Sequence, residues 1–358
     1  MASIDSGFWR GKRVYITGHT GFKGSWLCLL LQHLGAELKG YALSPATEPA
    51  LFLEARVAQG MTSEIGDVRD LATLTASLVD FDPEIVIHMA AQPLVLASYE
   101  RPIETYETNI MGTAHLLEAV RHCPSVRAVV NVTTDKCYEN NEWAWGYREA
   151  DTLGGRDPYS SSKACAELVT AAYRESFLRK DNISVATARA GNVIGGGDWA
   201  ENRLIPDILR AFEAATPVVI RNHSATRPWQ HVLEPLSGYL MLAERLFEKP
   251  NDYSGAWNFG PYDHNVRSVG WILDKMTNLW PDNSWRLDSN DRLHEATSLK
   301  LDISKASDVL GWKPTWDLVS TLEKIVSWHR CWAGGGDVTA ACVNEINAFI
   351  QDINDAND

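Results

Sequence analysis

From residue 13 onward, short runs rich in β-branched residues alternate with longer segments whose apolar positions recur at helical spacing. The runs 13–17, 37–43, 62–66, 85–89, 128–133 and 184–190 predict strands, and the stretches 25–34, 103–121 and 159–178 predict helices between them. Alternation of this kind predicts an α/β fold with a doubly wound parallel sheet covered on both faces. Right-handed crossovers would then place ligands at the carboxyl ends of the strands. After residue 190 the texture changes to glycine- and proline-punctuated segments, such as Gly195-Gly196-Gly197 and Arg227-Pro228-Trp229, interspersed with shorter helical patterns. The division expected is a dinucleotide-binding domain over 1–190 and a smaller mixed α/β substrate lobe over 191–358, with segments crossing between them. The acidic stretch 351–358 reads as a frayed end.

Three glycines, Gly18, Gly21 and Gly24, stand between the first predicted strand and the first helix in the pattern GxxGxxG. Glycines so placed allow a tight turn, close approach of backbone to a pyrophosphate, and close packing of helix on strand, with the helix amino end facing the phosphates. Tyr159 and Lys163 are four residues apart in a helical stretch and so share a face, where an ammonium can stand beside a phenol and lower its pKa. The run Thr133-Thr134-Asp135-Lys136 directly follows an apolar strand, so its side chains emerge at a carboxyl end.

Composition changes the picture mainly by exclusion. Apolar residues make up 45% and charged residues 22% of the 358, as in an ordinary globular protein. A net charge of −13 argues against nucleic acid as a partner, because a phosphate backbone needs a basic surface. No run of apolar residues is long enough to span a membrane, and the start lacks the apolar core of a signal peptide, so a cytoplasmic protein is expected. The six cysteines include no CxxC pair and suggest neither a metal site nor disulfides.

The glycine turn, the YxxxK pair and His88-Met89-Ala90-Ala91-Gln92 together resemble the extended short-chain dehydrogenase/reductase family, and within it the nucleotide-sugar 4,6-dehydratases. The resemblance covers nearly the whole chain. It implies that NAD is held by Gly18, Thr20, Gly21, Phe22, Lys23, Gly24, Asp67, Val68, Ala90, Ala91, Gln92, Asn109, Thr133, Tyr159 and Lys163, with Asp67 on the adenine amino group and Val68 beside the ring. Spacing alone also allows Asp67 to cap a helix beginning near residue 70. The segment after the second strand has no carboxylate before Glu48, so local residues leave NADP open, and His19, Lys23 and Arg56 are cations that would suit a 2′-phosphate.

For the chemistry, the resemblance implies that Thr134 aligns a sugar hydroxyl and that Tyr159, held as phenolate by Lys163, takes its proton. Asp135 would act as acid, which requires burial or a negative neighbour to raise its pKa. Lys136 stands where the family usually has a glutamate base, so it is expected either as the base or as a cation stabilising an enolate. The substrate would be a nucleoside-diphosphate hexose, CDP-glucose by overall similarity, contacted by Gln92, Thr134, Asn192, Arg203, Arg221, Arg227 and Arg292. Nucleotide-sugar epimerases or reductases use the Tyr and Thr without a second proton-transfer pair, and a silent dinucleotide sensor needs neither. Assembly into a homodimer or homotetramer through the helices 103–121 and 159–178 is also implied.

Overall fold

The computed structural model describes residues 4–220, 222–281, 283–287 and 298–356. Arg221 and Arg292 lie outside the described residues.

The six predicted strands form as β1 (Arg13–Thr17), β2 (Glu37–Ala42), β3 (Thr62–Ile65), β4 (Ile85–His88), β5 (Ala128–Val132) and β6 (Ser184–Ala190). A seventh, Gly255–Phe259, pairs beside β6, giving the order seventh strand, β6, β5, β4, β1, β2, β3. Every pairing within this sheet is parallel, for example Val14 with Ile85 and Arg13 with Glu37. The fold is therefore the doubly wound α/β sheet that the alternation predicts.

Successive side chains of a strand point to opposite faces, and the core divides accordingly. Val14, Ile16, Ile87 and Val130 pack with the helices Phe22–His33 and Leu233–Glu248 on one face. Tyr15, Val86, Val129 and Val185 pack with Leu71–Phe81 and Gly112–Arg121 on the other. Because the sheet is covered on both faces, its central strands are buried on both sides and mostly apolar, with polar exceptions such as His88, Asn131 and Arg189.

A smaller cluster gathers Ile205, Ile208 and Phe212 with Ile272, Met276 and Ile325, all from the second half of the chain. Three two-stranded pairings border it: 218–220 with 285–287, 226–228 with 266–268, and 193–194 with 230–231. Two expectations need correction here. The later helices are not short, since Leu233–Glu248, Leu318–Ala333 and Val338–Asp355 rank with those of the first half. Nor is the tail frayed from residue 351: the last helix runs to Asp355, Ile353 is buried, and Asp352 Oδ2 accepts from Trp316 Nε1 at 2.7 Å. The helix is amphipathic, with Ile346, Phe349 and Ile353 on its packed side.

Candidate active site

Strand β1 ends in the glycine turn, and its geometry depends on missing side chains. Gly18 has φ +78°, and a Cβ there would lie 2.7 Å from Ala90 N, at the end of the neighbouring β4. A Cβ on Gly24 would lie 2.1 Å from Gly18 O, so the first turn of the helix rests directly on the loop. Gly21 caps the helix Phe22–His33 without a side-chain bond, leaving its amino end as a backbone cradle for an anion. Thr20 Oγ1 donates to Leu43 O at 2.7 Å and ties the turn to the segment after β2.

This turn forms one wall of a cavity of about 1520 Å³ at the carboxyl ends of the strands. Of the expected cofactor residues, Gly18, Thr20, Gly21, Phe22, Lys23, Gly24, Asp67, Val68, Ala90, Ala91, Thr133, Tyr159 and Lys163 line it. Gln92 and Asn109 do not. Gln92 folds back on its own loop, with Oε1 accepting from Leu94 N at 2.6 Å and Nε2 donating to Thr105 Oγ1 at 3.0 Å. Asn109, fully buried, accepts from Gln92 N and donates to Ser162 Oγ at 2.9 Å, clamping that loop to the helix of Tyr159.

The helix Leu71–Phe81 is capped by Asp70, which accepts from Ala72 N and Thr73 N. Asp67 is held instead by Arg69, whose guanidinium keeps its carboxyl below the usual carboxylate range. Of the three cations considered for a 2′-phosphate, only Lys23 lines the cavity. His19 is a core residue bonded to Ser63 Oγ at 2.7 Å, and burial pulls its imidazole down to about 4.

Asp157 caps the helix Pro158–Ser176, and Pro158 occupies its first turn, so Tyr159 enters at the cavity and Lys163 follows one turn deeper. Thr134, Asp135 and Lys136 come to the same cavity from the end of β5. Thr134 Oγ1 donates to Asp135 Oδ1 at 3.0 Å, and Lys136 Nζ lies 3.7 Å from the same oxygen. Asp135 is fully buried, and its Oδ2 has no hydrogen-bond partner. Thr133 points its hydroxyl the other way, donating to Glu167 behind the strand.

One electrostatic expectation is overturned. Tyr159 is not lowered by Lys163: burial pushes its phenol up to about 12, with a bond to Thr134 opposing. Lys163 donates to Val132 O at 3.2 Å, and burial pulls it down to about 8, with Glu167 holding it up. Four-residue spacing puts both residues on one helix face at the cavity, and burial is the largest influence on each. Lys23, bonded to Tyr239 at 3.1 Å, falls to about 7 through burial and then through the charges of Lys163 and Arg203.

The opposite wall comes from the second half of the chain. Asn192, Arg203 and Arg227 line it, with Arg203 bridged to Asp198 at 2.9 Å and Asn192 Oδ1 buried without a partner. Trp143 and Trp145 do not line it. Both are exposed: Trp143 stacks on the buried Tyr147, and Trp145 packs tilted against Trp143.

Sequence reasoning passed over the buried ion pair of Glu167 and Arg189, 2.7 Å apart, with Glu167 also bonded to Thr133. Two signals were present: a carboxylate one turn after Lys163, and an arginine within the predicted strand 184–190.

The model of the GDP-mannose 4,6 dehydratase family matches residues 15–325. The chain is 56% identical to the CDP-glucose 4,6-dehydratase of Salmonella typhimurium over 97% of its own length and 99% of that protein's. It belongs to the nucleotide-sugar 4,6-dehydratase family. The family is one of enzymes, carbon–oxygen lyases that eliminate water. A more distant relative is the dTDP-glucose 4,6-dehydratase of Xanthomonas campestris, 26% identical over 75% of this chain and 80% of that one. Among solved structures, the dTDP-glucose 4,6-dehydratase from Bacillus anthracis in complex with NAD matches with a TM-score of 0.73 and 19% identity, over 89% of this chain and 97% of that one. A UDP-glucose-4-epimerase from Stenotrophomonas maltophila with bound NAD matches with a TM-score of 0.80 and 20% identity, over 91% and 100%. These two structural likenesses bear on the fold.

Proposed function

We propose that this enzyme converts CDP-glucose to CDP-4-keto-6-deoxyglucose and water, using NAD that is regenerated within each turnover. The observation that carries the reading is the buried Asp135, with one oxygen unpartnered, beside Lys136, Thr134 and Tyr159 on one cavity. Oxidation at a single carbon needs only the Thr and the Tyr. Elimination needs an additional acid and base, and Asp135 and Lys136 supply the two groups.

The cavity suits a dinucleotide: the backbone cradle at Gly18 and Gly21 accepts a diphosphate, and Val68 presents an apolar face beside Asp67. When bound, NAD supplies the acceptor for the C4 hydride and its later donor to C6. Tyr159 takes the proton of the 4-hydroxyl, with Thr134 aligning that oxygen. Lys136 removes the C5 proton, made acidic by the new ketone, and returns it to C5 as C6 is reduced. Asp135 gives a proton to the departing 6-hydroxyl, which leaves as water. Asn192, Arg203 and Arg227 bind the diphosphate and nucleoside from the opposite wall, where guanidinium forks match paired phosphate oxygens.

The 56% identity to a CDP-glucose 4,6-dehydratase supports cytidine as the base. Residues 1–190 serve mainly the cofactor and 191–358 mainly the nucleotide sugar. A homodimer is supported by exposed apolar residues on the helices proposed to pair, notably Ile103 and Leu168.

The test is incubation of the purified protein and NAD with CDP-, dTDP-, GDP- and UDP-glucose, read by the absorbance of 4-ketosugars in alkali. Product from CDP-glucose alone is expected. Product from another nucleotide alone would overturn the cytidine assignment, and a C4 epimer without ketosugar would overturn dehydration.

A further inference from the structure

We propose that Asp198 is a positioning residue for nucleotide binding: it holds one end of the Arg203 guanidinium so that the remaining edge meets the substrate diphosphate. The inference rests on the nucleotide-sugar reading for the identity of the ligand, while the contact itself is independent of turnover.

The segment 195–203 begins with three glycines, yet it is pinned along its length. Trp26 Nε1 donates to Gly196 O at 2.9 Å, and Gly196 packs against the Trp328 ring with no room for a Cβ. Trp199 meets Trp328 and Trp332 edge-on, with ring centroids 5.7 and 5.0 Å away. Its carbonyl accepts from Arg210 Nη1 at 3.0 Å, which ties the segment to the helix Leu204–Glu213. A segment held at so many points is a platform rather than a flap.

Asp198 stands on this platform. Its Oδ1 accepts from Ala200 N at 3.1 Å, and its Oδ2 accepts from Arg203 Nη1 at 2.9 Å. Both residues line the cavity, but the side chain of Asp198 is 7% exposed and that of Arg203 32%. The acid is therefore the enclosed partner, and the arginine presents the open one. Among the described residues Nη1 is the only nitrogen of this guanidinium that is hydrogen-bonded, which leaves Nε and Nη2, one edge of the fork, for paired phosphate oxygens. Burial works against the charge on Arg203, and Asp198 more than offsets it, holding the guanidinium above its ordinary value. A carboxylate that competed with phosphate for the arginine would stand on the open side. One that stands behind it instead fixes a long side chain in advance, and ordering such a side chain on binding otherwise costs affinity.

The test is a double-mutant cycle on CDP binding, measured by isothermal titration calorimetry on the full-length protein with NAD present. Asp198→Asn is expected to raise the dissociation constant of CDP about 10-fold, the scale of ordering one long side chain. KM for CDP-glucose should rise with it while kcat stays within about two-fold, as for loss of binding shared by ground and transition states. In an Arg203→Met background the same substitution is expected to change nothing, because Asp198 acts only through the guanidinium. Weakening of CDP binding in both backgrounds would mark a merely structural role and overturn the proposal. An unchanged dissociation constant in Asp198→Asn overturns it as well, and so does a lower one, which would make the carboxylate a competitor of the phosphate. Should Asp198→Asn alone fail to fold, the double variant leaves no bare charge, and weaker CDP binding there than in Arg203→Met refutes the positioning role. A wild type that binds CDP and releases no ketosugar would instead refute the dehydration reading, since binding needs no turnover.

Discussion

Asp135 and Gly191 approach so closely that a Cβ on Gly191 would stand 2.8 Å from Asp135 Oδ2 and 2.6 Å from Pro228 Cγ. The glycine that follows β6 thereby leaves the room in which the unpartnered carboxylate oxygen sits.

Gly191→Ala should therefore displace Asp135 and impair elimination more than oxidation. A shift of about 1 Å in a catalytic group can cost on the order of 100-fold. Ketosugar release is expected to fall by about that factor, while absorbance of NADH formed on the enzyme from CDP-glucose persists. Equal loss of both would count against the role of Asp135 as acid.

Lys136→Ala should separate the steps at the other end of the pair. Loss of a positioned base costs about 10²–10⁴-fold. Entry of solvent deuterium at C5 is expected to slow by such a factor, with removal of hydride from C4 much less affected. A variant that slows both alike would assign Lys136 to substrate binding.

Gly18→Ala places a side chain at φ +78° against the backbone of Met89 and Ala90. The left-handed conformation alone costs about 1–3 kcal/mol for a residue with a Cβ, and the contact adds to it. A lower melting temperature is expected, together with loss of the stabilisation that NAD gives the wild type. Calorimetry with and without NAD measures both effects.

Stability should also fall toward alkaline pH. Burial lifts the carboxyl of Glu234 to about 8, although backbone N–H groups of Trp316 and Thr315 donate to it. The folded state then holds a proton that the unfolded chain, with an ordinary carboxyl, releases near pH 4.5. Stability is full below that value and declines by about 1.4 kcal/mol per pH unit until the folded group ionises near pH 8. Glu234→Gln should flatten this slope while lowering stability at pH 5, because the amide forfeits one acceptor. Glu244, also lifted to about 8 by burial, leaves part of the slope in place. Melting temperatures between pH 5 and 8.5 check the prediction, and a parallel slope in the variant would exclude Glu234 as its source.

What was legible along the chain is what local rules decide. The glycine turn, the shared face of Tyr159 and Lys163, and the exit of Thr134, Asp135 and Lys136 from β5 depend on neighbours a few residues apart. Six strands were marked by their regular alternation with helical segments. The seventh, Gly255–Phe259, lies after residue 190, where that alternation breaks off, and carries a glycine and Asn258 in a short segment, so only its pairing with β6 reveals it.

The sequence by itself determined the order of elements, the glycine turn after β1 and the side chains that leave β5 and the helix Pro158–Ser176 at the same end of the sheet. Tertiary structure alone decided that Asn192 and Arg203 face the glycine turn across one cavity, that Gln92 and Asn109 brace a loop, and that Glu167 meets Arg189 beneath Lys163. It also decided which groups hold protons: the phenol of Tyr159 is raised and the amine of Lys163 lowered by burial. Desolvation is the sum of everything packed around a group, and no spacing within one segment encodes it.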